Sequence, residues 1–230
     1  MNLSPESWTA LLLSLQVAGL ATVLNLPAAL AIAWLLARRT FWGKSALSAL
    51  VHLPLVLPPV ITGYLLLLAF GRQGPIGSVL EDYLGLVFAF RWTGAALAAA
   101  VMAFPLMVRA MRLAIEAVDL KLEDAAATLG APRWAVFATV TWPLILPGVL
   151  AGVVMGFAKA LGEFGATITF VAAIPGETQT MPSAIYSLLQ VPGAESEVAR
   201  LAVWAACIAI AAVVISEWLA RRVAARISAQ

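Results

Sequence analysis

The sequence predicts an all-α protein, a polytopic transmembrane bundle of about five spanning helices. Three observations carry this. First, 63% of the 230 residues are hydrophobic and only 11% are charged, against about 25% charged in a soluble domain. Second, the charges are clustered, and five long stretches hold no Asp, Glu, Lys or Arg. Third, a segment crossing lipid must satisfy its own backbone groups, which a helix does and an open strand does not.

Each stretch predicts one span. A bilayer core takes about 20 apolar residues, with roughly 17 to 25 tolerated. Ser7 to Ala37 is ample. The segment before it, MNLSPESW, has no basic region, so a retained span is expected rather than a cleaved signal. Ser45 to Gly71 is also long enough, but Pro54, Pro58 and Pro59 interrupt it and predict a break near Gly63. Broken helices in membranes occur where protein or a cavity covers the freed carbonyls. This segment therefore either lines a pathway or packs as a kink. Trp92 to Val108 sits at the lower limit of length. Trp134 to Ala158 is ample and carries Gly148, Gly152, Gly156 and Ala160 four residues apart, a small-residue stripe for close packing within the chain or between two copies. Leu201 to Ser216 is one residue short and needs its charged ends to snorkel.

Five spans put the termini on opposite sides. With the N-terminus outside, the cytoplasmic segments hold Arg38, Arg39, Lys44, Arg109, Arg112, Lys121, Arg133, Arg221, Arg222 and Arg226. The outer segments hold only Arg72, Arg91, Lys159 and Arg200. The positive-inside rule then favours N-out and C-in. Residues 1–230 read as one transmembrane domain with a cytoplasmic loop over about 109–133.

Several function classes fall away. A net charge of +2 does not point to nucleic acid. The single cysteine, Cys207, excludes an internal disulfide. Gly43-Lys44-Ser45 is not a phosphate loop, because its earlier glycine would fall at Arg38 and no strand precedes it. Arg38, Arg39 and Lys44 read as anchors at the membrane face. The chain has no Gly-x-Ser-x-Gly, no His-Glu-x-x-His and one histidine, His52, which speaks against an intramembrane enzyme or a metal site. No cofactor is expected. His52 is expected to hydrogen-bond near the cytoplasmic end of the second span.

The stretch LEDAAATLGAPRW, residues 122–134, is polar amid this apolar sequence. Asp119 is suited to cap a helix. Leu122, Ala126 and Leu129 recur on one face. Gly130 suits a left-handed stop, and Pro132 prevents resumption. A short amphipathic helix over 120–129 follows, near the membrane surface between spans three and four.

The spacing continues: Asp124-Ala125-Ala126, three residues, Gly130, nine residues, Val140, one residue, Trp142-Pro143. This resembles the Glu-Ala-Ala motif of ABC-importer permeases, with Asp in the acidic position and Glu123 just before it. The runs HLPLVLPPVITGYLLL (52–67), FPLMVRAMRLAIEAVDLKLEDAAATLGAPRW (104–134) and LGEFGATITFVAAIPGETQTMPSAIY (161–186) resemble the permease subunits of molybdate importers. Sulfate permeases carry similar GEFGA runs. Molybdate and sulfate are tetrahedral dianions differing mainly in size, so sulfate or another oxyanion stays open.

The resemblance implies a type I ABC-importer permease fold. It implies a homodimer in membrane lipid, a cytosolic ATPase dimer, an extracytoplasmic molybdate-binding protein and an oxyanion substrate, molybdate with tungstate beside it. ATP hydrolysis would then lie in a separate chain. Glu123, Asp124, Ala125, Ala126, Leu129, Gly130 and Pro132 would form the coupling helix that docks on the ATPase. Pro58, Pro59, Lys159, Glu163 and Thr167 are candidates for the pathway or gate. Lys159 and Glu163, four residues apart, either steer a dianion or form a structural pair near the outer interface. Residues 174–197 should lie outside with a short helix around Pro182 to Leu189. They form a gate and docking surface or an ordinary exposed loop.

Overall fold

The chain is seen in a computed structural model that describes residues 3–228. All regular structure among them is helical. In chain order the helices are α1 (Pro5–Arg38), α2 (Lys44–Val56), α3 (Pro59–Phe70), α4 (Pro75–Leu84), α5 (Trp92–Glu116), α6 (Leu120–Thr128), α7 (Arg133–Val136), α8 (Trp142–Leu161), α9 (Gly165–Val171), α10 (Met181–Leu188) and α11 (Glu195–Ser228). A π-helical turn, Phe137–Thr141, joins α7 to α8, so Arg133–Leu161 forms one apolar rod of 29 residues.

Four rods are long and apolar enough to cross a membrane: Pro5–Arg38, Trp92–Glu116, Arg133–Leu161 and Glu195–Ile215. The fifth crossing is the pair α2 and α3, bent by 113°. Neither half suffices alone, since 13 and 12 residues make about 20 and 18 Å of helix. The expected break near Gly63 lies earlier, at Leu57 and Pro58, and Gly63 sits inside α3. Pro58 and Pro59 each lack an amide hydrogen, so the ladder to Pro54 and Leu55 cannot form there. Pro54 is accommodated within α2.

Two buried clusters place the bent pair across the bundle as a fifth candidate crossing. One joins Ala10 to Ala21 of α1, Ala95 to Ala103 of α5, Ala160 and Leu161 of α8, and Leu66 of α3. The other joins Ala29 to Leu36 of α1, Met107 to Ile115 of α5, Ile145 and Val149 of α8, and Val51 of α2. Helices α1, α5 and α8 pass from one cluster to the other, so the clusters occupy opposite halves of the bundle. The pair leaves the second with α2 and enters the first with α3. Leu201, near the start of α11, belongs to the first. Among the described residues the bundle therefore has five candidate crossings with the bent pair counted as one, and α1 begins at the end opposite α6.

Helix α5 is the centre, flanked by α1 and α8. Its buried residues are mostly alanine and methionine, which lets neighbours approach closely. The glycine stripe of α8 meets it within the same chain. A Cβ on Gly152 would lie 3.3 Å from Met111, one on Gly156 would lie 2.5 Å from Met107, and one on Gly148 would strike Ala114.

The ends of the predicted spans shift for physical reasons. Helix α5 runs on through Arg109 and Arg112 because Glu116 pairs with Arg112 at 2.7 Å. Helix α11 starts six residues before Leu201, where Glu197 binds both Arg200 and the Ser4 amide. The side chain of Arg226, counted among the basic residues above, lies outside the described residues. His52 Nδ1 lies 2.7 Å from the Ser48 carbonyl, one turn back on α2. Helix α10 coincides closely with the expected outer helix, and its Met181 amide donates to Ser14 Oγ at 2.6 Å.

Gly156→Val should force Met107 aside and cost about 1–3 kcal/mol, the usual range for overpacking. Gly19→Ala, with nothing within 4 Å of its added carbon, should stay within about 0.5 kcal/mol. Denaturation of the two purified variants in detergent, compared with the parent chain, measures both.

Candidate functional site

At one end of the bundle stands α6. Asp119 Oδ1 accepts the Lys121 amide at 3.0 Å and caps it, as a side-chain carboxylate at this position should. Gly130 ends it at φ +86°, a left-handed geometry that disfavours any Cβ. Nothing lies within 4 Å of that position, so the glycine is required by backbone conformation and not by crowding. Pro132 then caps α7.

The faces of α6 divide differently from the leucine stripe read in the sequence. Glu123 and Ala126 turn toward the bundle and are half-buried, whereas Asp124, Ala125, Leu129 and Gly130 are exposed. Leu120, Leu122 and Leu129 are 57%, 50% and 88% exposed. Trp134, just beyond, is 75% exposed. Exposed leucines and Trp134, with Asp124 among them, thus project from this end.

Glu123 points the other way. Its Oε1 accepts from Arg38 Nη2 at 2.7 Å and from Thr141 Oγ1 at 2.8 Å. Arg38 closes α1, and Thr141 is the last residue of the π turn. The Arg38 guanidinium also lies 5.6 Å from the Trp34 ring centre. Arg38 is therefore engaged in an ion pair as well as standing at the membrane face. Sequence reasoning missed Trp34, Thr141 and this use of Arg38. The 85 positions between Arg38 and Glu123 leave no periodic signal.

The second predicted group lies in the other half of the bundle. Helix α8 stops at Leu161 and α9 restarts at Gly165. Glu163 sits in the break with its side chain 1% exposed. One oxygen accepts Lys159 Nζ at 2.6 Å and the other accepts the Ala166 amide at 2.9 Å. Thr167 is buried and donates to the Phe164 carbonyl at 2.8 Å. A Cβ on Gly165 would lie 2.7 Å from Pro59 Cβ, and one on Gly63 would lie 2.5 Å from the Ala166 carbonyl. So the α2–α3 break packs against the α8–α9 break. Pro59, Lys159, Glu163 and Thr167 gather there; Pro58 and Pro59 are both exposed, whereas Glu163 and Thr167 are buried. Ala172, which closes α9, has φ +60° and ψ −165°, a conformation close to exclusive to glycine.

A bundle of five crossings, with a short helix held out at one end and paired helix breaks in its other half, is a membrane permease architecture. The chain belongs to the family of binding-protein-dependent transport system inner membrane components, which matches it over residues 26–229. It is 60% identical to the molybdenum transport system permease protein of Escherichia coli strain K12 over 221 residues, 96% of each chain. It is 39% identical to a sulfate transport system permease protein of Synechococcus elongatus over 173 residues, 75% of this chain and 60% of that one. Its fold matches a chain of a bacterial ABC transporter that imports alginate, with a TM-score of 0.74 at 19% identity, covering 95% of this chain and 80% of that one.

Glu163→Ala should leave the Lys159 ammonium and the Ala166 amide without their partner and cost about 1–3 kcal/mol. Glu163→Gln retains an acceptor for the amide and should cost less. Thermal unfolding of both variants in detergent ranks them, and equal losses would show that the amide contact contributes nothing.

Proposed function

We propose that the chain is the membrane-spanning permease subunit of an ATP-driven importer that carries molybdate, with tungstate as a co-substrate, across the inner membrane. The observation carrying this is the 60% identity to the molybdenum permease over nearly the whole of both chains. Residues 1–230 act as one translocation domain. The chain is a transport subunit, and ATP hydrolysis belongs to a separate cytosolic chain. A second reading, sulfate as the cargo, is favoured only by the weaker likeness to the sulfate permease, which spans less of both chains.

In this reading the α6 end faces the cytoplasm, with the N-terminus outside and the C-terminus inside, as the basic residues near it favour. The ATPase docks on the exposed surface of Asp124, Ala125, Leu129 and Gly130, bordered by Pro132. The extracytoplasmic molybdate-binding protein delivers its anion at the opposite end. Two copies of the chain enclose the pathway. The α2–α3 break supports this pairing: carbonyls freed by Pro58 and Pro59 cannot face lipid tails, and the exposed side of that break needs protein or water against it. Around the same break, Lys159, Glu163 and Thr167 form a gate rather than a strong anion trap, because Lys159 is already paired. A tight cationic site would retain a dianion that must be released.

Cells lacking the chain should regain uptake of labelled molybdate at low external concentration when it is restored, with sulfate uptake unchanged. Recovery of sulfate alone would overturn the cargo. Gly130→Leu should insert normally yet reduce copurification of the ATPase by roughly tenfold or more, since the left-handed turn costs about 1–2 kcal/mol with a Cβ and Leu129 beside it would be displaced. Undiminished copurification would remove Gly130 from the docking surface.

A further inference from the structure

We propose that Glu123 is a clasp that carries the motion of α6 into the membrane-spanning helices, and that it does not belong to the ATPase-docking surface. This rests on the importer reading above and assigns roles to Arg38 and Thr141 that the docking motif does not include.

The geometry is specific. A single carboxylate oxygen, Glu123 Oε1, joins three elements: α6 itself, the end of α1 through Arg38 at 2.7 Å, and the π turn through Thr141 at 2.8 Å. The partners are shielded. The side chains of Arg38 and Glu123 are 14% and 22% exposed, and Thr141 is 2% exposed. A charge-assisted bond is roughly twice as strong as a neutral one, and partial burial reduces its screening. Two donors of different kinds on one oxygen also fix its direction. Arg38 is itself steadied by the Trp34 ring, and Trp34 packs edge-on against Phe137, the first residue of the π turn, with ring centres 5.4 Å apart. The clasp thus closes a loop of contacts from α6 to α1 and back through the π turn.

The setting makes this a transmission point. Helix α6 buries no residue fully. Only Glu123 and Ala126 of α6 are half-buried toward the bundle, so the Glu123 contacts are its main polar tie. Its exposed side carries Asp124 and the leucines. An ATPase that grips that side and moves must drag the rest of the chain through whatever contacts α6 makes on its other side. The π turn is the place where the α7–α8 rod departs from regular α geometry, and such turns cluster at functional positions. A pull on Glu123 therefore bears at once on the end of α1 and on the irregular turn at the start of α8. Both rods flank the central α5.

The test uses the complete importer, purified from cells co-expressing the chain with its ATPase and reconstituted with the binding protein. Three quantities are read: copurification of the ATPase, molybdate imported per ATP hydrolysed, and hydrogen exchange of residues 120–128. Glu123→Gln should leave copurification intact, raise exchange over 120–128, and lower import per ATP roughly five- to tenfold, the lower part of the range for an allosteric coupling of about 1–3 kcal/mol. Arg38→Glu should do the same. The charge-exchanged pair Arg38→Glu with Glu123→Arg should recover part of the ratio, which a purely local folding defect would not. Arg39→Gln, the exposed neighbour, should change nothing. Unchanged import per ATP in Glu123→Gln overturns the clasp. So does a Glu123→Gln variant whose only defect is loss of the ATPase, because Glu123 would then be a docking residue. If the unaltered complex imports neither molybdate nor sulfate, the importer reading fails first, and the exchange data still report whether Glu123 fastens α6.

Discussion

The structure depends on close packing around α5. In lipid there is no hydrophobic drive between helices, so association rests on van der Waals contact and on hydrogen bonds across helices. Helix α5 meets that condition with buried alanines at 95, 96, 98, 99 and 103 and with methionines at 102, 107 and 111. The alanines let α1 close on it. The methionines fill the grooves that Gly152 and Gly156 of α8 leave open. Because the contacts are small and interlocked, α1, α5 and α8 form a frame that resists bending, and everything irregular in the chain is attached to it.

The irregular parts hang on this frame by specific contacts. Helix α6 is fastened to the frame by a carboxylate and not by an apolar face. The α2–α3 and α8–α9 breaks lean on one another at Pro59, Gly165, Gly63 and Ala166. Each break removes backbone hydrogen bonds in a setting where lipid offers no substitute. Glu163 compensates one of them by accepting the Ala166 amide, and its second oxygen engages Lys159. A carboxylate placed inside a span thus has a structural reason to exist before any role with an anion is considered.

Much of this was legible in the sequence, and the unreadable part has a physical cause. Charge gaps report where the chain meets lipid, so five crossings could be counted from them. They say nothing of direction, so the 113° turn between α2 and α3 had no signal beyond its prolines, and the break was placed several residues late. Asp119 and Gly130 bounded α6 because capping is local chemistry encoded in one or two residues. The resemblance to importer permeases marked Glu123 and Asp124 together, yet a motif cannot say which of two adjacent carboxylates faces inward. On a helix neighbours differ by about 100°, so only the packed bundle separates the one that holds α6 from the one that projects. Ala172 at positive φ gave no warning, since nothing about an alanine announces that the Thr178 hydroxyl bonds the Val171 carbonyl at 3.2 Å and the Ile174 amide at 3.0 Å across the turn.

The two ends of the bundle differ in how their charges are used. At the α6 end Glu123 is held by Arg38 and Thr141 while Asp124 is exposed, so in the proposed importer one acid secures α6 and the other faces a partner. In the opposite half Lys159 and Glu163 are spoken for by each other. In the proposed importer an anion passing there would meet a pair with little net charge, and local attraction would stay weak enough for release. The Lys159–Glu163 pair is then not a fixed cationic site, and in the proposed importer it does not set the direction of import. Under the proposed function that direction comes from alternation between arrangements of the rods, and among the described residues α6 reaches those rods through residues 116–119, through residues 129–133, and through Glu123.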